Sequence, residues 1–376
     1  MLVYVLTSCL VLAAVTGQDC PATDTRCSCV FLYYDNNIDC RELGSVEQIP
    51  AFNSSTMTFD SLTISQNTAV QTVQARAFSG LKVRRLLLAN LAIQFVSVDA
   101  FVGLSAPDLS EIHIDDNAIS TILPGTFRNL PNLLVLSIQN NRLHSLHADL
   151  FRGLNSLSYL YAFHNHLTSL PDSVFSDLRQ LTQLKLNDNE LSVISSTVFQ
   201  RLVNLDELYL HDNLLRRVDP RAFSSLYELS RLELQNNMLG SAGLESSLFT
   251  GLHQLSVIDL SNNNISDIAA DAFTHSPLLT KVILKDNHLQ RLDRMLFSGL
   301  DKLRKIDLTN NRLADLPDGI FGSQTSLIYL YLQQNDLRSI TYEHLRNLTS
   351  LSYIYLSDVK LRRCSYVIDR RSFCCR

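Results

Sequence analysis

The chain of 376 residues contains no tryptophan, only 12 glycines and only nine prolines. So little glycine and proline excludes a collagen and a low-complexity linker. Charged residues make up 18% of the chain, and the formal net charge is −5. The broad basic field that nucleic-acid binding needs is therefore missing, and we predict no nucleic-acid partner. A hydrophobic content of 46% excludes a disordered chain.

Sequence signatures of catalysis are also missing. The chain has no G-x-S-x-G, H-E-x-x-H, G-x-x-x-x-G-K-[ST] or G-x-G-x-x-G motif. Its ten histidines are scattered and have no consistent serine or cysteine partner. We therefore predict a protein that is not an enzyme and that needs no cofactor.

The chain has one long apolar run, and it lies at the N-terminus. Met1–Gly17 carries no charged side chain and has small residues at Ala13, Ala14 and Gly17. This run resembles a secretory signal peptide that is cleaved near Gly17. The alternative is a membrane anchor, but the run is shorter than the roughly 20 residues that span a bilayer. We predict a secreted protein of the extracellular space or matrix, with no membrane span.

The body of the chain is a repeat with the frame L-x-x-L-x-L-x-x-N-x-L. Its units follow one another at steps of 24 residues, except for two steps of 26, after Val83 and after Leu229. The second long step predicts a rim loop around Gly240–Gly243. Thirteen units cover Phe59–Leu361, and their first positions are Phe59, Val83, Leu109, Leu133, Leu157, Leu181, Leu205, Leu229, Leu255, Leu279, Leu303, Leu327 and Leu351.

The frame itself predicts the structure of one unit. Positions four and six alternate with polar neighbours, which is the period-two pattern of a strand with one buried face. One strand per unit, always in the same direction, predicts a parallel sheet. One unit cannot bury its leucines alone, so neighbouring units must stack.

Two further columns are structural. Position nine is asparagine in eleven units, where its amide can satisfy the backbone as the chain turns inward, so we predict an asparagine ladder. Leu91 and Val359 replace asparagine, so the ladder should break near each end. A phenylalanine recurs once per unit from Phe78 to Phe321 and predicts an aromatic spine on the convex side.

The pattern resembles the leucine-rich repeat family. The resemblance implies an α/β-type leucine-rich repeat solenoid, a curved horseshoe with a parallel sheet on the concave face and short turns and 3-10 segments on the convex face. We predict four segments: a signal peptide at 1–17, an N-terminal cysteine-rich cap at 18–58, thirteen repeats at 59–361 and a short cysteine-containing tail at 362–376.

The cysteines lie at the two ends of the repeats. Spacing alone leaves three pairings open among Cys20, Cys27, Cys29 and Cys40, and Cys-x-Cys could also bind zinc. The resemblance to the N-terminal cap of extracellular leucine-rich repeat proteins implies the pairs Cys20–Cys29 and Cys27–Cys40.

The C-terminal tail has an odd number of cysteines. We expect Cys364 to pair with Cys374 or Cys375, which leaves one thiol. That thiol could link two copies as a disulfide-linked homodimer. The alternative is a shortened cap with no further role.

Positions three, five and seven point away from the core and form the predicted ligand-binding surface. Tyrosine is enriched there beyond what the strand propensity of aromatic residues explains, and tyrosine is a common binding hot spot. One patch is Tyr159, Tyr161, Phe163, Tyr209 and His211, and the other is Tyr329, Tyr331, Tyr353 and Tyr355. Between them lies a mixed-charge stretch with Arg231, Glu233, Lys281, Lys285, Lys305 and Asp307, which ordinary solvation also explains.

Three smaller features complete the list of candidate sites. Asn53, Asn264 and Asn347 begin N-x-S/T sequons and are predicted glycosylation sites. The basic residues of the tail could contact polyanions, although a solvated tail is the favoured explanation. His164, Asp188 and Asp212 share position eight of successive units, but polar residues are common at such turns and we predict no metal there.

The resemblance implies a binding function. We expect a secreted, non-enzymatic protein that recognises a protein or glycan ligand through its concave face, with innate-immune recognition as the first role. The alternative is an extracellular-matrix or growth-factor-binding structural protein that dimerises.

Overall fold

The computed structural model describes residues 21–22, 26–31, 36–41, 52–53, 57–104, 109–240, 247–360, 367–368 and 371–372. Several predictions of the sequence fall outside these residues: the signal peptide Met1–Gly17, residues 241–243 of the rim loop, Cys20 and the three tail cysteines. Those predictions therefore stay predictions.

The described residues form many short strands and one short helix. The helix α1 is Tyr342–Leu345. In chain order the strands are β1 (Cys27–Phe31), β2 (Asn36–Arg41), β3 (Phe59–Ser65), β4 (Thr72–Val73), β5 (Val83–Leu87), β6 (Phe95–Val96), β7 (Glu111–His113), β8 (Val135–Ser137), β9 (Tyr159–Tyr161), β10 (Gln183–Lys185), β11 (Val193–Ile194), β12 (Glu207–Tyr209), β13 (Arg217–Val218), β14 (Arg231–Glu233), β15 (Val257–Asp259), β16 (Lys281–Ile283), β17 (Lys305–Asp307), β18 (Tyr329–Tyr331), β19 (Tyr353–Tyr355), β20 (Val367–Ile368) and β21 (Arg371–Ser372).

One sheet of fifteen strands runs along the molecule, in the order β1-β2-β3-β5-β7-β8-β9-β10-β12-β14-β15-β16-β17-β18-β19. The antiparallel pair β1–β2 caps it, and each later strand pairs in parallel with the one before it. Each of the thirteen predicted units contributes one of these parallel strands. Because equivalent positions face each other, as Leu160, Leu184 and Leu208 do, residues at one repeat position form a straight column across the sheet.

The core lies directly behind the sheet. In the unit that begins at Leu205, the side chains at positions one, four, six and eleven are completely buried: Leu205, Leu208, Leu210 and Leu215. Each such leucine contributes about 1.5–3 kcal/mol when it leaves water. The burial of positions four and six confirms the period-two pattern of the frame.

The asparagine ladder forms as predicted. Asn213 donates its side-chain N–H groups to the carbonyls of Leu186, Leu210 and His211 at 3.0–3.2 Å. Its Oδ1 accepts the backbone N–H of Leu191, 3.0 Å away in the preceding unit. Side chains that donate in this way to the preceding unit are Asn117, Asn141, Asn165, Asn189, Asn213, Asn237, Asn263, Asn287, Asn311 and Asn335.

The ladder stops where asparagine is replaced. Leu91 separates Asn67 from the first regular rung, and the buried Nδ2 of Asn67 has no hydrogen-bond partner. At the other end Val359 follows Asn335, and the two residues are joined only by a backbone bridge. The predicted breaks are confirmed, so the terminal units are less firmly tied than the middle ones.

Position eight has its own structural reason, which the sequence analysis missed. In all thirteen units this residue has a positive φ, for example 49° at His164 and 53° at Asp188 and Asp212. Asn and Asp tolerate this left-handed conformation better than most residues because their short polar side chains bond locally. The polar residues at position eight are therefore selected first by backbone conformation.

The convex side holds the phenylalanine spine. Neighbouring rings stack with centroids about 6 Å apart, as Phe175 and Phe199 do at 6.2 Å. The chain turns around each ring through short i+3 hydrogen bonds, such as Leu178 N–H to the carbonyl of Phe175 at 3.1 Å. Where Leu345 replaces phenylalanine, this turn becomes the helix α1.

The N-terminal cap is a disulfide-linked hairpin. Cys27 on β1 bonds to Cys40 on β2, as the resemblance implied. Cys29 is also disulfide-bonded. Among the described residues, no helix reaches the length and hydrophobicity that a membrane crossing needs.

Candidate binding face

The side of the sheet that points away from the core forms one continuous surface, which we call the inner face. It consists of the side chains at positions three, five and seven of each unit. Every candidate ligand-binding residue lies on it, because the strict register of the sheet keeps these positions on one side. Whether these residues bind a ligand is a question of their exposure and of their partners within the chain.

Four tyrosines at the C-terminal end form what we call the C-terminal platform: Tyr329, Tyr331, Tyr353 and Tyr355. Tyr331 and Tyr355 stack with ring centroids 4.5 Å apart and planes within 1° of parallel. Tyr329 and Tyr353 stack at 5.0 Å and 6°. Three of the four residues remain well exposed: Tyr329 by 36%, Tyr353 by 50% and Tyr355 by 40%.

The side chain of Lys305 borders the platform. The Lys305 ammonium lies 4.6 Å from the ring centroid of Tyr331 and 3.3 Å from a carboxylate oxygen of Asp307. Asp307 is buried and accepts hydrogen bonds from the backbone N–H and the hydroxyl of Thr309. Burial and the nearby Tyr355 raise the pKa of Tyr331 above its ordinary value. The phenol of Tyr331 is therefore neutral at physiological pH.

The other tyrosine patch is organised differently. We call Tyr159, Tyr161, Phe163, Tyr209 and His211 the central patch. The Lys185 ammonium sits between two of its rings, 5.2 Å from the centroid of Tyr161 and 5.2 Å from that of Tyr209. The sequence analysis did not include Lys185, although its place at position five between two tyrosine-bearing units could have indicated it.

A carboxylate, that of Glu207, also contacts the central patch. The Tyr209 hydroxyl donates to Glu207 at 2.8 Å, and Gln183 donates to the same carboxylate oxygen at 2.5 Å. Burial, followed by the bond to Glu207, raises the pKa of Tyr209 far above its ordinary value. The polar end of Tyr209 is therefore already engaged within the chain.

The mixed-charge stretch is partly paired. Arg231 donates to Glu233 at 3.0 Å, and Nε2 of His211 lies 3.8 Å from the same carboxylate group. Lys281 and Lys285 are exposed, and Lys285 lies 3.5 Å from the Asp286 carboxylate. The structure thus brings His211 and Glu233 together, whereas the two lysines extend into solvent.

A groove near the N-terminal units, lined by both apolar and polar residues, was missed by the sequence analysis. It has a volume of about 570 Å³ and includes His113 and Asp115 in its lining. The two side chains are 3.7 Å apart, and interaction with the carboxylate of Asp115 raises the pKa of His113. Glu111, His113 and Asp115 occupy positions three, five and seven of one unit, which is the signal that could have found them.

The predicted glycosylation sites differ in accessibility. Asn53 and Asn264 are exposed. Asn347 is half-buried, and its side chain donates a hydrogen bond to the carbonyl of Gly322 at 2.9 Å. The first two positions are therefore the more open sequons.

The comparison with family models identifies the repeat. The leucine rich repeat model matches residues 107–167, 163–215, 179–239, 242–289 and 301–361, which is more than half of the chain. The chain belongs to the leucine-rich repeat family. No curated protein matches the sequence closely enough to count as a relative.

Solved structures share the solenoid fold. The glycosylated Drosophila Toll–Spatzle complex matches with a TM-score of 0.68 and 22% identity over 92% of this chain and 50% of that one. The LRIM1/APL1C complex matches with a TM-score of 0.69 and 21% identity over 89% and 59%. The TLR13–ssRNA13 complex matches with a TM-score of 0.60 and 23% identity over 81% and 51%. This leucine-rich repeat chain spans about half the length of Toll and of TLR13.

Proposed function

We propose that this leucine-rich repeat protein is a secreted, non-enzymatic recognition protein that binds a protein ligand, or the glycan that ligand carries, on the C-terminal platform of its inner face. A role in innate-immune recognition is the first candidate. One structural neighbour supports it by analogy: Toll in complex with Spatzle, described as a molecular hub in Drosophila development and innate immunity.

The observation that carries the proposal is the exposure of stacked aromatic surface. Tyrosine supplies a large rigid contact area at low entropic cost, and it is enriched among residues that dominate binding energies. In the C-terminal platform the rings hold one another in place, so little side-chain freedom remains to be lost on binding. A preorganised and exposed aromatic surface has little reason to persist in a protein that binds nothing there.

Charge argues for a protein rather than a nucleic acid. TLR13 is seen in complex with a single-stranded RNA. On the inner face of this chain, however, the lysines and arginines alternate with buried or half-buried acids such as Glu233, Asp259 and Asp307. Backbone phosphates need a continuous basic surface, which this alternation does not supply.

A second role follows from the cysteines of the tail. Cys364, Cys374 and Cys375 cannot all pair within one chain. A matrix or growth-factor-binding protein that forms a disulfide-linked homodimer is therefore our alternative proposal. Non-reducing gels of the secreted protein test it: a dimer band that disappears on reduction supports this role, and a monomer under both conditions contradicts it.

The test of the main proposal compares two matched double variants. The tagged wild-type protein is used to capture ligands from extracellular fluid, and the captured molecule is then titrated against each variant. Tyr331→Ala with Tyr355→Ala should weaken binding about 1,000-fold, because hot-spot residues contribute about 2 kcal/mol or more each and every 1.4 kcal/mol is tenfold. Tyr161→Ala with Tyr209→Ala removes two rings from the central patch and serves as the control.

Three outcomes separate the components of this proposal. Equal affinity of both variants and the wild type would place binding away from the tyrosines. A loss caused only by the control variant would transfer the ligand site to the central patch. Digestion of the captured ligand with glycosidases should leave affinity unchanged if protein is recognised and abolish it if glycan is recognised. The melting temperature of the platform variant should stay within a few degrees of the wild type because Tyr355 is exposed and Tyr331 is only half-buried.

A further inference from the structure

Beside the central patch, at the turns that follow strands β10 and β12, three side chains converge. One ligand atom from each of Asp188, His211 and Asp212 lies within 4.8 Å of the other two. His164 of the preceding unit lies next to one member of this cluster, with Nε2 3.7 Å from a carboxylate oxygen of Asp188, but it is not among the three grouped side chains. The sequence places His164, Asp188 and Asp212 at one repeat position, and the structure adds His211, which lies one residue before Asp212.

This set differs from a simple acidic cluster because its centre is a histidine. Nδ1 of His211 lies 2.7 Å from a carboxylate oxygen of Asp212. On the other side of the ring, Nε2 lies 3.8 Å from the Glu233 carboxylate, which Arg231 holds at 3.0 Å. A carboxylate behind the second ring nitrogen is the usual arrangement around a metal-binding histidine, where it fixes the ring and raises its basicity.

The two aspartates are also oriented from outside the cluster. Asn187 donates to Asp188 at 2.7 Å, and Asn236 donates to Asp212 at 2.8 Å. Backbone conformation fixes the turns themselves, because Asp188 and Asp212 both have a φ of 53°. The ligand atoms are therefore held close together before any ion arrives, which lowers the entropic cost of binding one.

We propose that Asp188, His211 and Asp212 form a zinc site, with His164 as the neighbouring nitrogen that can complete the coordination. Nitrogen and carboxylate oxygen are both good zinc ligands, and tetrahedral zinc needs three or four of them. Calcium takes oxygen ligands and gains nothing from imidazole, so the histidines select against it. The site lies beside the ring of Tyr209, whose centroid is 6.3 Å from that of His211, and so belongs to the inner face rather than to the convex side.

Calorimetric titration of the full chain with zinc chloride, after chelator treatment and dialysis, tests the site directly. We expect one equivalent of zinc to bind saturably and calcium chloride to give no binding. His211→Ala and Asp188→Asn should each abolish saturable binding. Glu233→Gln, which removes the carboxylate behind the ring, should weaken zinc binding about tenfold.

A matched control comes from another histidine–carboxylate pair. His166 lies 3.0 Å from Glu190, and both side chains are about half exposed, but no third ligand is grouped with them among the described residues. Glu190→Gln should leave zinc affinity unchanged. The proposal is wrong if the wild type shows no saturable zinc binding, if His211→Ala binds zinc as the wild type does, or if calcium binds as tightly. Circular dichroism of each variant ensures that a loss of binding is not a loss of folding.

Discussion

The two aromatic groups of the inner face are both rich in tyrosine but have different surroundings. In the central patch a lysine fills the space between Tyr161 and Tyr209, and a carboxylate accepts the Tyr209 hydroxyl. In the C-terminal platform the tyrosines stack on one another, and the nearby Lys305 touches a single ring. In the first group Tyr161 and Tyr209 are engaged within the chain and Tyr159 remains exposed by 40%, whereas the second group presents stacked rings to solvent.

The difference shows that residue type alone does not define a binding surface in a repeat protein. Register decides it, because each inner-face side chain meets the residue at the same position one strand away. Where the neighbour of a tyrosine is a lysine, the pair forms an internal contact. Where the neighbour is another tyrosine, as in Tyr331 and Tyr355, an aromatic surface results. The two groups can therefore be separated by experiments that act on their neighbours.

The largest change in the free energy of unfolding should come from substitutions in the asparagine ladder that lies beneath each tyrosine group. Asn213→Ala removes the acceptor of the Leu191 N–H in the middle of the solenoid and should lower the free energy of unfolding by about 2–3 kcal/mol. Asn335→Ala removes the equivalent acceptor of Leu313 near the end. Because end units of a solenoid fray separately, we expect the main urea transition to change little and hydrogen-exchange protection to fall in β18 and β19.

This pair of variants also tests whether the units that carry the C-terminal platform unfold independently of the rest of the solenoid. If Asn335→Ala lowers the main transition as much as Asn213→Ala does, the solenoid unfolds as one block. The platform would then have no local stability of its own, and the contrast between the two regions would be one of contacts only.

Much of this fold is predictable from sequence because each repeat position has the same structural environment in nearly every unit. The leucines, the ladder asparagines and the spine phenylalanines each recur often enough to be identified without coordinates. Position eight could have been predicted as well, since a column rich in Asn and Asp is typical of a left-handed residue. The breaks at Leu91 and Val359 follow from the same columns.

The candidate sites were less predictable because they depend on side-chain contacts, both within one column and between columns, that the repeat frame does not give. The sequence shows that Tyr161, Lys185 and Tyr209 share position five, but not that the ammonium lies between the rings. Likewise, His211 belongs to position seven and Asp188 to position eight, so a search within one column does not pair them. These residues come together because their side chains extend across neighbouring turns. The repeat pattern of the sequence does not show such contacts.

A smaller change in the free energy of unfolding should come from removing the lysine that contacts the tyrosine rings of the central patch. Lys185→Met removes two cation–π contacts from the central patch and should lower the free energy of unfolding by about 1–2 kcal/mol. Ligand binding at the C-terminal platform should not change. Chemical denaturation measures the first quantity, and titration with the captured ligand measures the second.

Lys281→Met provides the control for that experiment. Lys281 is exposed on the same face, and it makes no ion pair or ring contact with the described residues. Its replacement should change stability by less than about 0.5 kcal/mol. Equal effects of the two substitutions would mean that the ammonium between the rings contributes nothing beyond an ordinary surface lysine.

The smallest expected effect is a change in the pKa of Tyr331, which stacks on Tyr355 in the C-terminal platform. Burial, followed by the nearby Tyr355, raises the pKa of Tyr331, whereas burial is the main cause of the raised pKa of Tyr161. Tyr355→Phe should therefore lower the pKa of Tyr331 and leave that of Tyr161 unchanged, as an ultraviolet titration of phenolate absorbance would show. A raised pKa in the folded state means that folding favours the neutral phenol, so this stabilisation is fully present below about pH 10 and is lost as the pH rises through the folded pKa. If Tyr355→Phe shifts both tyrosines equally, the substitution acts through the whole sheet, and the two groups are not electrostatically separate.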